Sequence, residues 1–326
     1  MPKTHGKDRA PRNRTLTIDE SEVNRLSTNL KTSLPKRRLS KPIEGIVQGD
    51  CQHWSRVLPR SHVDLLILDP PYNLDKFFNG EKFSKTSTNQ YTDYLEGILT
   101  QLLPLLKPTA TIYVCGDWLT SHSIFEVASQ HLRVRNRITW EREKGRGAKT
   151  NWKNSSEDIW FCTRSDDYYF DTETVKIRKK VIAPYTTEEG DPKDWSKTKA
   201  GNFRDTHASN LWTDISIPFW SMPENTDHPT QKSEKLLAKL ILASSQKGDF
   251  VLDPFLGSGT TTAVSEKLGR RSLGIEKDSE FCLLAQKRLE LARQDTSIQG
   301  YDDGVFWERN SIAFQKQVLG NRSHIP

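Results

Sequence analysis

Apolar residues occur along this chain in short runs of strand length that alternate with longer stretches of helical spacing. Strand-like runs occupy residues 43–47, 63–68, 109–115, 137–140, 159–162, 250–252 and 272–275. Apolar positions three and four residues apart predict helices over residues 91–106, 121–131, 233–245, 260–268 and 279–292. Because the strands alternate with helices, the pattern predicts an α/β fold with a doubly wound, mostly parallel sheet.

Two long polar segments interrupt this alternation. Residues 1–42 are poor in aromatic residues, and we predict that they are mostly disordered, with a short helix around residues 19–30. Residues 165–228 carry scattered Trp and Tyr but little periodicity. The chain therefore divides into an arm (1–42), a first half of the α/β domain (43–164), an insertion (165–228), a second half (229–294) and a C-terminal extension (295–326).

The composition changes this picture mainly through the distribution of charge. The chain has 326 residues with 48 Lys and Arg against 42 Asp and Glu, a formal net charge of +6. Residues 1–42 hold 11 basic and 4 acidic residues, and residues 131–153 hold 8 basic and 2 acidic ones. A basic arm and a basic internal stretch on a near-neutral body favour a polyanionic partner, the alternative being a merely solvated charged surface.

The same composition excludes several classes of protein. No apolar run approaches the roughly 20 residues that span a bilayer, so no membrane partner is expected. The basic N-terminus lacks the apolar segment of a secretory signal. The four cysteines are far apart and form no Cys-x-x-Cys pair, which argues against a disulfide scaffold and against a zinc site. We therefore expect a cytoplasmic protein without a metal site.

A glycine-rich turn follows the strand at 250–252. Residues 253–261 have the sequence Asp-Pro-Phe-Leu-Gly-Ser-Gly-Thr-Thr, in which Gly257 and Gly259 let the backbone approach a ligand at a helix N-terminus. The turn is not a phosphate-binding P-loop, and Thr262 stands where a dinucleotide fingerprint has its third glycine. Glu276 ends the next strand, where a carboxylate can accept hydrogen bonds from ribose hydroxyls. The alternative is an ordinary turn with a surface Glu.

A second motif, Asp69-Pro70-Pro71-Tyr72, directly follows the strand at 63–68. In a doubly wound fold, ligands bind at the carboxyl ends of the strands. The two prolines fix the backbone and remove two donors, so carbonyl and carboxylate acceptors remain beside the ring of Tyr72. This arrangement suits a planar group with N–H donors, such as the exocyclic amine of a nucleobase. The alternative is a strand that simply ends at prolines.

Together these motifs resemble those of the DNA amino-methyltransferases, which use S-adenosylmethionine. Residues 69–72 match the catalytic motif of that family, residues 253–261 match its cofactor loop, and residues 228–232 (His-Pro-Thr-Gln-Lys) match a third signature. Ser233 replaces the proline that often follows, a change that the start of a helix tolerates. The catalytic motif precedes the cofactor loop, which resembles the circularly permuted β class, whose members mostly methylate adenine N6 or cytosine N4.

The resemblance implies a role for each matched residue. The catalytic residues would be Asp69, Pro70, Pro71 and Tyr72. The cofactor would contact Asp50, Cys51, His228, Thr230, Lys232, Asp253, Phe255, Gly257, Ser258, Gly259, Thr260 and Glu276. DNA would contact Trp140, Arg146, Lys149, Trp152, Arg178, Lys179 and Lys180. Residues 43–164 would form the catalytic half, 165–228 the target-recognition region and 229–294 the cofactor-binding half.

The function that follows is site-specific methylation of adenine N6 in double-stranded DNA, by base flipping and direct attack of the amine. Cytosine N4 is the alternative within the family, whose N4 members often carry Ser in place of Asp69; a catalytically silent DNA-binding protein is the alternative from another class. The absence of a Pro-Cys pair argues against the cytosine C5 enzymes. We expect a prokaryotic protein at the nucleoid. The sequence leaves open the recognition site, a monomer or a homodimer, and a cognate restriction endonuclease.

Overall fold

A computed structural model describes residues 10–78, 81–142, 150–182, 185–198, 201–309, 311 and 315. Its α-helices are α1 (Glu20–Ser27), α2 (Cys51–Val57), α3 (Thr88–Leu102), α4 (Ser121–His131), α5 (Glu234–Ser244), α6 (Thr260–Lys267) and α7 (Ser279–Gln294). Its strands are β1 (Gly45–Gln48), β2 (Val63–Leu68), β3 (Lys76–Phe78), β4 (Glu81–Phe83), β5 (Leu106–Gly116), β6 (Arg133–Glu141), β7 (Ser156–Thr163), β8 (Ile177–Lys180), β9 (Ser196–Thr198), β10 (Gly201–Thr206), β11 (Leu211–Trp212), β12 (Phe250–Asp253), β13 (Arg271–Glu276), β14 (Tyr301–Asp302) and β15 (Val305–Trp307). Every strand and helix predicted from the apolar pattern is present, most within two residues at each end.

The main sheet has eight strands in the order β1-β13-β12-β2-β5-β7-β6-β11. Neighbouring strands are parallel except that β7 runs antiparallel to both β5 and β6. The predicted doubly wound, mostly parallel α/β fold is therefore confirmed. The strand β12, from the second half of the domain, lies between β13 and β2 and pairs with β2 through Val251 and Leu65. This pairing brings the ends of two strands that are distant in sequence to one edge of the sheet.

Helices cover both faces of the sheet, which explains why the central strands are apolar throughout. One core contains Leu66 and Leu68 of β2 with apolar residues of α2, α3 and α4. The other contains Leu65 and Ile67 with residues of α5. Alternate residues of β2 thus enter opposite cores, and burial on both sides favours continuous apolar runs over alternation.

The helix α5 is buried on all sides, although the sequence predicted a single apolar face. A second sheet, in the order β14-β15-β8-β10-β9, supplies Ile177 and Phe306 to the core around α5. Lys239 is 1% exposed there, and its ammonium is 2.7 Å from Asp214. Burial lowers the pKa of Lys239 to about 8, an effect that the Asp214 carboxylate opposes. The C-terminal extension thus completes this second sheet, because β15 pairs with β8.

Part of the N-terminal arm packs on the α/β domain. The helix α1 begins with a capping box formed by Asp19 and Glu22, and Leu26 in its last turn is fully buried. Lys287 of α7 lies 2.7 Å from Glu22. Upstream of α1, the backbone N–H of Leu16 donates to the carbonyl of Asn225 at 2.8 Å. The predicted short helix is therefore present, and the chain before it reaches the segment that precedes His228. Across the described ranges, no helix has the length and apolar character that a membrane span requires.

Candidate active site

The pairing of β2 with β12 places the two sequence motifs side by side. Leu66 pairs with Leu252, so Asp69 and Asp253 leave the sheet at the same edge. Between them lies a pocket whose lining includes both carboxyl groups together with His228, Lys232 and Gly257. The pocket thus brings together residues of all three matched motifs.

Asp69 is the centre of a polar cluster. The ammonium of Lys232 donates to both of its carboxylate oxygens, at 3.0 and 2.8 Å. The hydroxyl of Tyr72 donates to Asp69 Oδ1 at 3.1 Å. The Pro71 carbonyl accepts a hydrogen bond from the Tyr91 hydroxyl at 3.1 Å, which fixes the turn to α3. Asp69 is therefore held in a defined orientation by two donors, with its backbone restrained by the prolines.

Lys232, which was predicted as a cofactor contact, also belongs to the polar cluster around Asp69. It lines the pocket, and its carbonyl accepts a hydrogen bond from the Thr260 hydroxyl at 3.0 Å, but its ammonium contacts the catalytic motif. Burial lowers its pKa, yet the carboxylates of Asp69 and Glu157 more than offset this and raise the pKa above the ordinary value. Burial and the Asp69 charge also raise the pKa of Tyr72. The lysine is thus a cation and the tyrosine a neutral donor.

The glycine loop requires glycine at both positions for steric reasons. Gly257 has φ of +55°, and a Cβ there would lie 2.9 Å from His228 Nε2. Gly259 has φ of +87°, and a Cβ there would lie 2.6 Å from the Cα of Ala285 in α7. The loop therefore passes close to His228 on one side and to α7 on the other, and α6 begins directly after it. Burial lowers the pKa of His228 to about 4, so its ring is neutral at pH 7.

Asp253 begins the loop and is only 4% exposed. Its carboxylate accepts hydrogen bonds from the Thr261 hydroxyl at 2.5 Å and from the backbone N–H of Phe255 at 3.0 Å. Burial raises its pKa to about 7; its two hydrogen bonds oppose this shift, and the nearby charges of Asp69 and Glu276 add to it. Near pH 7 the Asp253 carboxyl is therefore partly protonated, in a pocket that also contains Asp69 and Lys232.

Glu276 fastens the loop to the end of β13. Its side chain accepts hydrogen bonds from the backbone N–H groups of Gly257 at 2.8 Å and Asp278 at 2.9 Å. The backbone N–H of Gly49 donates to the Glu276 carbonyl at 2.8 Å. This contact places Asp50, which caps α2 and pairs with Lys277 at 2.7 Å, at the same edge. Of the predicted cofactor residues, Cys51 follows in the first turn of α2 as a buried thiol, and burial raises its pKa to about 12.

Two buried residues that the sequence did not single out support the site. Arg288 of α7 is 2% exposed and donates to the Thr260 hydroxyl at 2.8 Å and to Ser258 Oγ at 3.4 Å, so it holds the loop from behind. Glu157 of β7 is 4% exposed and lies 3.2 Å from the Lys232 ammonium. Two acidic residues, Glu157 and Asp158, just before the apolar run at 159–162 were the sequence signal for Glu157.

The structure corrects two of the predicted DNA-binding residues. Trp140 is 0% exposed and its indole N–H donates to the Ile215 carbonyl at 3.0 Å, so its ring has no face available for a base. Arg178 donates to both carboxylate oxygens of Asp205, at 2.8 and 2.7 Å, and reaches Asp303 at 3.4 Å. Its guanidinium is therefore neutralised within the second sheet, where it also lies over the ring of Trp307.

Three other predicted DNA-binding residues lie at the surface. Trp152 is 94% exposed, and Lys179 and Lys180 are exposed on β8. Arg146 and Lys149 lie outside the described residues. Throughout the described ranges, no group of three or more His, Cys, Asp or Glu side chains is placed to hold a metal ion.

The lining of the pocket fits S-adenosylmethionine. Asp253 lines the pocket and Glu276 is bound to its glycine loop, which suits a ligand with cationic sulfonium and ammonium groups, and no side chain at Gly257 blocks close approach to the backbone. Comparison with known proteins agrees with this chemistry. A family model for DNA methylases, the N6/N4 methyltransferases, matches residues 63–287. The chain belongs to the N6/N4 DNA methyltransferase family. Enzymes of this family depend on S-adenosylmethionine.

Individual relatives cover most of this methyltransferase. The type II methyltransferase M.HpaI of Haemophilus parainfluenzae is 30% identical over 248 residues, 75% of this chain and 72% of the relative. The DNA adenine methyltransferase YhdJ of Escherichia coli is 29% identical over 270 residues, 81% and 88% of the two chains.

Two solved structures share the fold. The cytosine-N4-specific PvuII DNA methyltransferase has a TM-score of 0.56 at 16% identity and covers 78% of this chain and 90% of its own. A DNA modification methylase of Thermus thermophilus, complexed with S-adenosylmethionine, has a TM-score of 0.51 at 18% identity and covers 82% and 99%.

Proposed function

We propose that this methyltransferase transfers a methyl group to the exocyclic N6 of adenine within a specific site of double-stranded DNA. The observation that carries the proposal is the Asp69 carboxylate, which is fixed at the carboxyl end of β2 in the same pocket as the glycine loop. When bound, S-adenosylmethionine supplies a methyl group that its sulfonium charge activates. The residues of the chain then have to orient the target amine.

Asp69 and the Pro70 carbonyl are the proposed acceptors for the two amine protons. Hydrogen bonds from both protons withdraw the nitrogen lone pair from the ring and favour a tetrahedral nitrogen. Asp69 is then placed to receive the proton that the methylated amine gives up. Since the base of a duplex cannot reach this pocket while it is stacked, it has to be flipped out of the helix, and Tyr72 is proposed to stack on it. Fixed positioning supplies most of the catalysis.

Adenine is favoured over cytosine N4 by two observations. The residue before Pro70-Pro71-Tyr72 is Asp rather than the Ser that N4 enzymes often carry. The relative YhdJ, with 29% identity, is named as a DNA adenine methyltransferase. We test this choice by methylating DNA with the purified protein, digesting it to nucleosides and identifying the methylated base by mass spectrometry. N4-methylcytosine in place of N6-methyladenine would establish the alternative.

The catalytic role of Asp69 is tested by the substitution Asp69→Ala. We expect methyl transfer to fall at least about a hundredfold, because pre-oriented groups of this kind contribute that much or more. Calorimetric affinity for S-adenosylmethionine should change by less than threefold. The matched control is Asp64→Asn at the opposite end of β2, where the carboxylate pairs with Lys107 at 2.7 Å. Turnover at the wild-type rate by Asp69→Ala would contradict the assignment, and DNA binding without any affinity for the methyl donor would favour a silent binding protein.

We also propose that the enzyme modifies the site of a cognate restriction endonuclease, since relatives such as M.HpaI are named type II methyltransferases. Methylation-sensitive sequencing of plasmid DNA from expressing cells gives the modified base and its site together. A single short recognition sequence is expected, and methylation spread over unrelated sequences would contradict this proposal.

A further inference from the structure

Glu157 is a second carboxylate within the polar cluster around Asp69. The antiparallel register of β7 explains its place, because Gly116 of β5 pairs with Asp158 and the start of β7 therefore lies at the carboxyl end of β5. The side chains of Ile159 and Phe161 lie on the same face of β7 as that of Glu157, and they belong to the core around α5. Glu157 consequently projects on the side of the sheet from which Lys232 approaches Asp69.

The contacts of Lys232 create a requirement for this second carboxylate. Its ammonium occupies both oxygens of Asp69, at 3.0 and 2.8 Å. Asp69 Oδ1 already accepts from both Lys232 and Tyr72, so a target amine that donates to this oxygen has to displace one of them. The side chain of Lys232 is only 11% exposed, so an ammonium that lost Asp69 without a replacement would be a buried, unpaired charge.

The geometry supplies the replacement. Glu157 Oε2 lies 3.2 Å from the Lys232 ammonium and 3.3 Å from the Tyr72 hydroxyl. Its other oxygen, Oε1, accepts a hydrogen bond from Arg142, which balances its charge on the far side. The tyrosine and the lysine each contact both carboxylates, so each can pass from Asp69 to Glu157 with little movement.

We propose that Glu157 is a positioning residue for methyl transfer, which retains Lys232 and Tyr72 when the target amine takes the oxygens of Asp69. This inference rests on the proposed function of Asp69. In the free enzyme Lys232 bridges the two carboxylates. In the complex with a flipped base it pairs with Glu157, so Asp69 accepts from the amine while the cation stays in the pocket.

The substitution Glu157→Gln tests the inference, because it keeps the shape and removes the charge. We expect single-turnover methyl transfer to slow by about 10- to 100-fold, as for other groups that position a catalytic residue. Affinities for S-adenosylmethionine and for cognate DNA should change by less than threefold. The matched control is Asp158→Asn, the next residue of β7, whose carboxylate accepts from Ser121 and Thr139, at 3.0 and 2.9 Å, on the other side of the sheet. Its rate should stay within twofold of the wild type.

A second background separates positioning from mere structural support. If Glu157 acts through the lysine, Glu157→Gln should have less than a twofold effect in a Lys232→Met protein. An undiminished loss in that background would overturn the inference, as would a wild-type rate for Glu157→Gln alone. If circular dichroism shows that Glu157→Gln does not fold, Glu157→Asp replaces it, because this variant keeps the charge but shortens the side chain by one methylene. The rate of methyl transfer by Glu157→Asp should then lie between those of the wild type and of a protein without the carboxylate. An unchanged rate would again overturn the inference. Absence of methyl transfer by the wild type would instead overturn the proposed function, and this inference with it.

Discussion

The substitution Gly259→Ala tests whether close packing of the glycine loop against α7 maintains the cofactor site. An alanine there would have to adopt φ of +87°, and its Cβ would lie 2.6 Å from both the Cα and the Cβ of Ala285. The left-handed conformation alone costs about 1–2 kcal/mol for a residue with a Cβ. Overpacking against a buried backbone adds about 1–3 kcal/mol. We therefore expect the free energy of unfolding to fall by about 2–5 kcal/mol.

Gly248→Ala is the matched control for this prediction. Gly248 has nearly the same φ, +86°, but a Cβ there would have no neighbour within 4 Å. The free energy of unfolding of Gly248→Ala should fall only by the cost of the left-handed conformation, about 1–2 kcal/mol. Urea unfolding measures both values, and calorimetry measures affinity for S-adenosylmethionine, which should weaken only in Gly259→Ala because Gly257 and Glu276 belong to the same loop contact. Equal losses of stability in the two variants would refute the steric reasoning.

Three further outcomes are expected. The pKa of Asp253 is raised to about 7, above the unfolded value of about 3.9, so its contribution to stability is complete below about pH 4 and is lost as the pH rises through about 7. Urea unfolding should therefore show the stability of the wild type relative to Asp253→Asn falling by up to about 4 kcal/mol between pH 4 and pH 8, and parallel curves would contradict this. Trp152→Ala should leave the melting temperature unchanged and weaken DNA binding by about 1–3 kcal/mol, whereas Trp140→Ala should lose about 3–5 kcal/mol of stability; the reverse pattern would show that exposure misidentifies the DNA-facing indole. Deletion of residues 1–18 should flatten the salt dependence of DNA binding, because it removes basic residues of the arm. It should also raise the KM for S-adenosylmethionine, since it removes the contact of Leu16 with Asn225; an unchanged KM would show that the arm acts only in DNA binding.

The periodicity of apolar residues was sufficient to predict the helices and strands of the main sheet. It could not show that β7 runs antiparallel, because side chains alternate between the two faces in the same way for either direction of a strand. The buried polar face of α5 was missed for a related reason. A helix with one apolar face is indistinguishable in sequence from one whose lysines are buried, and here Asp214, distant in sequence, compensates Lys239.

The matched motifs located the candidate site, but its supporting charges were not visible in them. Asp69 and the glycine loop lie together because β2 and β12 are neighbours. Arg178 was predicted to contact DNA because its carboxylate partners could not be recognised in the sequence. Asp205 and Asp303 lie 27 and 125 residues further along the chain. Trp140 looked like a base-stacking residue because exposure cannot be inferred from residue type alone. Whether a charged or aromatic side chain is free depends on tertiary contacts that a motif does not encode.

The position of β12 between β13 and β2 also determines what the unfinished chain exposes during synthesis. The edge of β2 that pairs with β12 has no partner until residues 250–253 leave the ribosome. Translation at roughly 5–20 residues per second makes this interval about 10–40 seconds. For that time the apolar strand Val63–Leu68 presents an open edge, which other strands can join. Because strands that join such an edge lead to aggregation, we expect a lower growth temperature to raise the soluble yield.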